Sequence, residues 1–325
     1  MNIGGISVDV PEKAMETETI SVIVPIAERH DDIEELYREY KKALLRTGYP
    51  CEIIFVIDGY FQKAYNQLKS LKDNGEKLTL VKHSRSFGEA VAITSGFKQA
   101  TGGWIMTLPA YHQVEASELP KLIESLGSND MVVARRWPRS DSKLNQFQTR
   151  IFHRIVKMMT GNGYNDIGCS VRLFRRKILE EINLYGDLHR FLPILANKQG
   201  FKIKEIDLKQ SSKSGNIRTY AFGVYLRRMI DLLTVFFLIK FTKKPLRFFG
   251  LTGTTILFIG LCITVYLMIN RIFFGMGLSD RPLFLIGILF IVLGLQIFAI
   301  GLVGEILIFT HAKDIKEYNI DEILN

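Results

Sequence analysis

Ile20-Ser-Val-Ile-Val-Pro25, Asp31 to Leu45 and Glu52-Ile-Ile-Phe-Val-Ile57 decide the fold. The first and third are short runs rich in β-branched residues, as strands buried on both faces require. Between them Ile33, Leu36, Tyr37, Tyr40 and Leu44 recur at helical spacing. The alternation continues down the chain. Tyr65–Leu71 reads as a helix, Leu78–Val81 as a strand and Phe87–Ala100 as a helix closed by Thr101-Gly102-Gly103. Trp104–Leu108 is a strand broken by Pro109, Leu119–Leu126 a helix and Met131–Ala134 a fifth strand. This βαβα order predicts an α/β fold, a mostly parallel sheet with helices on both faces. Ligands of such sheets bind beyond the carboxyl ends of the strands. That edge holds Pro25–Arg29, Asp58–Tyr60, His83–Gly88, Pro109–Gln113 and Arg135–Arg139.

The 325 residues carry a formal net charge of +9 and are 47% hydrophobic and 23% charged. A mean hydropathy of +0.12 with normal charge content means uneven distribution: a water-soluble part joined to a very apolar one. The three cysteines, Cys51, Cys169 and Cys262, are far apart and odd in number, which excludes a disulfide scaffold and a paired CxxC zinc site. Residues 1–19 are polar and acidic and read as an extension, not a secretory signal. Basic residues gather near the apolar part and the sheet edge without interleaved aromatics, so anionic lipid and diphosphate, not nucleic acid, are the expected partners.

Phe248–Ile269 and Leu283–Gly304 are each 22 residues without a charge, with twelve and sixteen Leu, Ile, Val or Phe respectively. About 20 residues cross a 30 Å hydrocarbon core. The short linker Asn270–Arg281 makes the pair a hairpin within residues 248–310, both of whose ends face the same side. Lys240, Lys243, Lys244 and Arg247 precede it and Lys313 and Lys316 follow it, which puts both termini and the large domain in the cytoplasm, on the inner membrane. Gly253 and Gly260, and Gly287, Gly294 and Gly301, recur every seven residues. They serve hairpin closure, self-association into a homo-oligomer, or simply reflect the frequency of glycine in membrane helices. Glu305 is expected at the membrane interface. Within 223–247, Tyr225–Phe241 reads as an amphipathic helix lying in the headgroup layer or packed on the soluble domain. The expected organisation is therefore a 20–222 domain, this juxtamembrane stretch, the hairpin and a cytoplasmic tail, 311–325.

No GxGxxG, GxxxxGK[ST] or HExxH motif and no metal-spaced Cys/His cluster occurs, so a nicotinamide enzyme or a P-loop ATPase has no support. Asp58, after a buried strand, suits a base or ribose, or else a cap or turn. Asp166, in Gly163-Tyr-Asn-Asp-Ile-Gly168, is a candidate site carboxylate or again a cap. Arg85, Arg135, Arg136 and Arg139 bring planar forks that match phosphate oxygens.

Ser21-Val-Ile-Val-Pro25, Phe55-Val-Ile-Asp-Gly59, Ser84-Arg-Ser-Phe-Gly88, Gly96-Phe-Lys-Gln-Ala-Thr-Gly102, Asp166-Ile-Gly-Cys-Ser-Val-Arg-Leu-Phe174 and Gly200-Phe-Lys-Ile stand in an order that, with the hairpin, resembles the family 2 glycosyltransferases. The nearer likeness is to the polyprenyl-phosphate branch that includes dolichol-phosphate mannosyltransferase and bactoprenol glucosyltransferase. The resemblance implies a GT-A (Rossmann-like) fold and inverting transfer of a sugar from a nucleotide-sugar donor to a polyprenyl (undecaprenyl-type) phosphate, with Mg or Mn as the family's metal. It assigns Asp166, Arg135 and Arg136 to catalysis. Pro25, Glu28, Asp58, Arg85, Gly88, Ala110, Tyr111 and Gln113 are assigned to the donor, and Arg139, Arg172, Lys213 and Arg218 to the acceptor and diphosphate.

The departures are specific. The family's Asp-x-Asp after the fourth strand falls on Leu108-Pro-Ala-Tyr-His-Gln113, so Pro109 and Tyr111 replace both metal-binding aspartates. Its Asp-Asp-Gly-Ser reads Ile57-Asp-Gly-Tyr60, its Asn-Glu reads Glu28-Arg29, and Ser86 replaces the Asn of Arg-Asn-Phe-Gly. Its late basic motif reads Ser212-Lys-Ser-Gly-Asn-Ile-Arg-Thr-Tyr220. A phosphate acceptor is already anionic, so the demanding step is charge developing on the departing diphosphate. Without carboxylate-held metal, that charge calls for fixed cations, drawn from Arg85, Arg135, Arg136, Arg139, Arg172, Lys213 and Arg218. The alternative is a catalytically impaired relative that binds a nucleotide sugar, a lipid phosphate or a partner enzyme.

Overall fold

A computed structural model describes residues 19–138, 164–184, 186, 188–213, 245–274 and 282–311. Arg139, Arg218 and the expected helix 225–241 lie outside the described residues. The chain forms two compact units, one holding the sheet and one the apolar hairpin.

In the first unit β1 (Ile20–Ile26), β2 (Cys51–Ile57), β3 (Thr79–Lys82) and β4 (Trp104–Thr107) alternate with α1 (Ile33–Leu45), α2 (Gln62–Asp73) and α3 (Glu89–Gln99). After α4 (Pro120–Glu124) come β5 (Met131–Arg136), β6 (Arg172–Arg175), α5 (Lys177–Glu181), α6 (Leu192–Lys198) and β7 (Ile203–Leu208). The seven strands are ordered β3-β2-β1-β4-β6-β5-β7. All pairings are parallel except those of β6, which runs against both β4 and β5. Neither β6 nor β7 is evident in the sequence: Arg172-Leu-Phe-Arg175 is four residues with a cation at each end, too short for a periodic signal.

Alternation along each strand sends side chains to opposite faces. Val22, Val24, Phe55 and Ile57 pack with Leu36, Tyr37 and Tyr40 of α1 and Leu68 of α2. Ile23, Ile54 and Val56 pack on the other face with Ala92 of α3, Phe174 and Leu192. Each such side chain contributes about 1.5–3 kcal/mol when fully buried. Asp32 caps α1, its Oδ1 accepting from the amides of Glu34 and Glu35 at 3.1 Å.

In the second unit α7 (Pro245–Phe274) and α8 (Pro282–His311) are both long and apolar enough to cross a membrane. They extend the expected spans at both ends. The glycine spacing resolves to closure of the hairpin. A Cβ on Gly253 would stand 2.7 Å from the Gly294 carbonyl oxygen, and one on Gly260 2.7 Å from that of Gly287. A Cβ on Gly294 would stand 2.5 Å from the Leu257 amide nitrogen. Only hydrogen fits, so the backbones touch. Glu305 accepts from the Leu246 amide at 3.3 Å, satisfying one of the free donors in the first turn of α7.

Candidate active site

The chain leaves β1 outward through β2 and β3, then returns to β4 on the other side of β1. The crevice between the carboxyl ends of β1 and β4 is thus the topological switch point, where open α/β sheets bind ligands. The hollow of 370 Å³ lined by Tyr37, Lys41, Tyr49, Cys51 and Glu76 lies at the opposite edge, beside the start of β2.

Pro25 is buried within β1, where it pairs with Val56. Asp58 is fully buried at the end of β2. One carboxylate oxygen lies 2.7 Å from His83 Nδ1; the other accepts from Ser86 Oγ at 3.0 Å and from the Gly88 amide at 2.7 Å. The Phe87 amide donates to both oxygens. Burial pushes the Asp58 carboxyl up, but the bonds from His83, Phe87, Gly88 and Ser86 together hold it below the ordinary carboxylate value. Asp58 therefore shapes the loop into α3, with all its bonding capacity turned inward. Gly88 turns that loop with φ of 100°, a conformation open to glycine.

A second network joins the loop after β4 to the segment before β6. Gln113 donates to the Tyr111 hydroxyl at 2.8 Å and to the Gly168 carbonyl at 3.3 Å, and its own carbonyl accepts from the Ser170 amide at 2.9 Å. Asp166, on the same segment, takes a two-pronged ion pair from Arg136, at 2.7 and 2.8 Å. The side chains are 15% and 1% exposed. Burial opposes the Arg136 charge; the Asp166 carboxylate overrides it and raises the pKa. Glu89, just past Gly88, faces His189 at 3.3 Å. Burial raises its carboxyl, while His189, Arg190 and Arg172 bring it below the usual range.

Most of the expected phosphate-binding cations are already engaged. Arg135 forms a two-pronged pair with Asp207 and lies over Trp137. Because β-strand residues alternate, it points away from its neighbour Arg136. Arg172 is buried and donates to the carbonyls of Ile167, Cys169, His189 and Arg190. Its surroundings correct the expectation of a phosphate ligand, because buried carbonyls occupy its fork. Lys213 bridges Glu35 and Glu39 at 2.6 Å each. Glu28 reaches Arg190 at 3.4 Å. Arg85, exposed over the Phe87 ring, has no ion pair among the described residues.

The sequence reading passed over Arg29 as a site residue. It stacks on Tyr111, its guanidinium carbon 3.5 Å from the ring centre. Tyr111 is among the expected donor residues; following β1 to its carboxyl end, at the switch point, finds Arg29 as well. His189 and Arg190, after β6, carried no periodic or motif signal.

The donor set does not fit a hard divalent cation. The Pro109 carbonyl already accepts from the Tyr40 hydroxyl at 2.9 Å, and that of buried Ala110 from the Asp31 amide at 2.9 Å. The Tyr111 phenol is pushed up to about 12, by burial and then by the Glu89 carboxylate. His112 is held between Asp31 and Glu39, at 2.9 and 3.1 Å. Among the described residues no group of three or more His, Cys, Asp or Glu is arranged to hold a metal ion.

Residues 21–183 match the model described as glycosyl transferase family 2. A Pseudomonas aeruginosa protein named undecaprenyl-phosphate 4-deoxy-4-formamido-L-arabinose transferase is 30% identical over 293 residues, covering 89% of this chain and 85% of its own. Its namesake in Enterobacter sp. (strain 638) is 29% identical over 311 residues, 94% of each chain. Among solved structures, glucosyl-3-phosphoglycerate synthase from Mycobacterium tuberculosis, in complex with phosphoglyceric acid, superposes with a TM-score of 0.54 at 14% identity. The match covers 70% of this chain and 82% of that one, and the likeness is one of fold. With a family match running from β1 through α5 and a relative 30% identical along most of both chains, the protein belongs to glycosyl transferase family 2 and is a glycosyltransferase.

Proposed function

We propose that this enzyme moves a sugar from a nucleotide-sugar donor to a polyprenyl phosphate of the undecaprenyl type, with inversion, at the cytoplasmic face of the inner membrane. One observation carries the reading: the 311-residue match to an undecaprenyl-phosphate sugar transferase leaves out fewer residues than either 30-residue apolar helix contains. The likeness thus includes the hairpin as well as the sheet.

The chemistry asks little of the protein at the acceptor end. A phosphate monoester is anionic at pH 7 and needs no base. One of its oxygens bonds to the anomeric carbon from the face opposite the leaving group, while the bond from that carbon to the diphosphate oxygen breaks and its electron pair leaves with the diphosphate. The protein must hold the donor, balance the diphosphate charge and keep water out. Tyr111, Gln113, Asp166 and Arg136 form a connected wall for this at the switch point, and Asp58 holds the Arg85–Gly88 loop in shape. The Asp166–Arg136 pair is proposed as the rigid support for the sugar, and Arg85 as a cation for the diphosphate. Basic residues flanking the hairpin favour both termini in the cytoplasm and contact with anionic lipid.

The test is transfer itself. The purified full chain in lipid is incubated with UDP-, GDP- and dTDP-sugars, including 4-deoxy-4-formamido-L-arabinose donors, and undecaprenyl phosphate. A lipid-linked sugar that disappears with Asp166→Ala supports the reading. Donor binding without turnover across the panel sinks it.

A further inference from the structure

Arg29 follows β1 and Tyr111 follows β4, the adjacent strands that bound the switch point. A guanidinium held 3.5 Å over a tyrosine ring is fixed in plane while its N–H edge stays free. Its Nε hydrogen is buried and has no acceptor among the described residues, an arrangement costly to leave unmatched. Among the described residues Arg29 forms no ion pair. Its neighbours differ: Arg136 and Arg190 face carboxylates, and Arg172 is surrounded by carbonyls. Among the described residues the crevice thus contains a cation fork without an ion-pair partner, and it has no group of three or more His, Cys, Asp or Glu arranged for a metal ion.

We infer that Arg29, seated on Tyr111, is a second, fixed cation that takes the donor diphosphate together with Arg85, and that binding and transfer proceed without a divalent metal. The inference rests on the nucleotide-sugar reading above and deepens it. Two parallel N–H groups match two phosphate oxygens, and a preorganised cation is best placed to receive the charge that builds as the sugar–oxygen bond breaks. Tyr111 completes the device. An aromatic ring orients the guanidinium without neutralising it, whereas an aspartate at the same position would pair with Arg29 and take the fork from the phosphate.

The experiment is calorimetric titration of the full chain in nanodiscs with UDP, GDP and dTDP as probes and the matching nucleosides as controls, in EDTA and in Mn²⁺. At least one diphosphate is expected to bind with affinities that differ by less than about twofold between the two conditions. Arg29→Ala should weaken that binding by about 10- to 100-fold, the loss expected of a charge-assisted pair, and leave nucleoside affinity unchanged. If Arg29→Ala does not melt cooperatively, Arg29→Gln, which keeps a planar polar group over the ring, takes its place. Tyr111→Asp should weaken diphosphate binding as well. Three results overturn the inference: binding lost in EDTA and restored by Mn²⁺, a folded Arg29 variant that binds diphosphate as the parent does, or no diphosphate bound at all. Arg29-dependent binding with no transfer to undecaprenyl phosphate would instead sink the proposed reaction and leave this site standing.

Discussion

The carboxyl edge of the sheet and the interface of the hairpin are both places where atoms meet closely, but they meet by opposite means. At the sheet edge Asp58 and Asp166 are buried charges, each enclosed by donors: His83, Ser86 and two amides for one, the Arg136 fork for the other. In the hairpin, Gly253, Gly260, Gly287 and Gly294 remove side chains until backbone rests on backbone. The difference follows from the solvent each unit suits. In water, burying apolar residues already drives folding, so charges can be buried to hold a site in one shape. Between helices in lipid no such drive exists, and close van der Waals contact takes over.

The largest way to break the contrast is Arg136→Ala. It removes the guanidinium fork from the buried Asp166 carboxylate and leaves it the amide of residue 136, which should cost about 3–5 kcal/mol, read as a lowered melting temperature of the sheet unit in detergent. Replacing both partners, Arg136→Met with Asp166→Leu, should recover most of that stability and none of the transfer activity. A single variant as stable as the parent would show that the pair is not a buried charge pair.

Asp58→Asn should cost about 1.5–3 kcal/mol by removing charge-assisted bonds from the Ser86–Gly88 loop. The same carboxylate makes the sheet unit acid-labile. Its folded pKa is depressed, so its contribution is complete above the unfolded value near about 3.9, declines below that and is gone once the pH passes under the folded value. A thermal melt series from pH 6 downward should show this loss, smaller in Asp58→Asn. Helicity of the hairpin, where Glu305 is the one carboxylate among the described residues, should hold over the same range.

Gly294→Leu should cost about 1–3 kcal/mol, because its Cβ meets backbone that cannot give way. Unfolding in mixed micelles reads it, with the sheet unit's melt unchanged. The smallest effect belongs to Arg135→Ala, whose partner Asp207 is 45% exposed. About 0.2–1 kcal/mol is expected, shrinking with added salt.

The individual residues show how far the sequence could be read. Hydrophobic periodicity located β1 to β5, the first three helices and both apolar spans, because burial face and chain spacing are local properties. Asp58 was visible as a carboxylate at a strand end and Asp166 as one in a loop before an apolar run, yet what surrounds them was not. The partners of Asp58 come from 25 to 30 residues away, and the Arg136–Asp166 pair spans 30. Arg172 was read as a phosphate ligand because an arginine's type says nothing about the carbonyls that will enclose it.

By itself, then, the sequence determined a mostly parallel sheet, an apolar hairpin and a glycosyltransferase whose metal-binding aspartates are missing. Each of these is written in residue type and short-range order. Only the tertiary structure decided which of the described cations have ion-pair partners and which, such as Arg29 and Arg85, do not. It brought β1 beside β4 and so laid Arg29 on Tyr111, across more than eighty residues of intervening chain. Charge is a property of one residue, but the availability of that charge depends on every group folded against it.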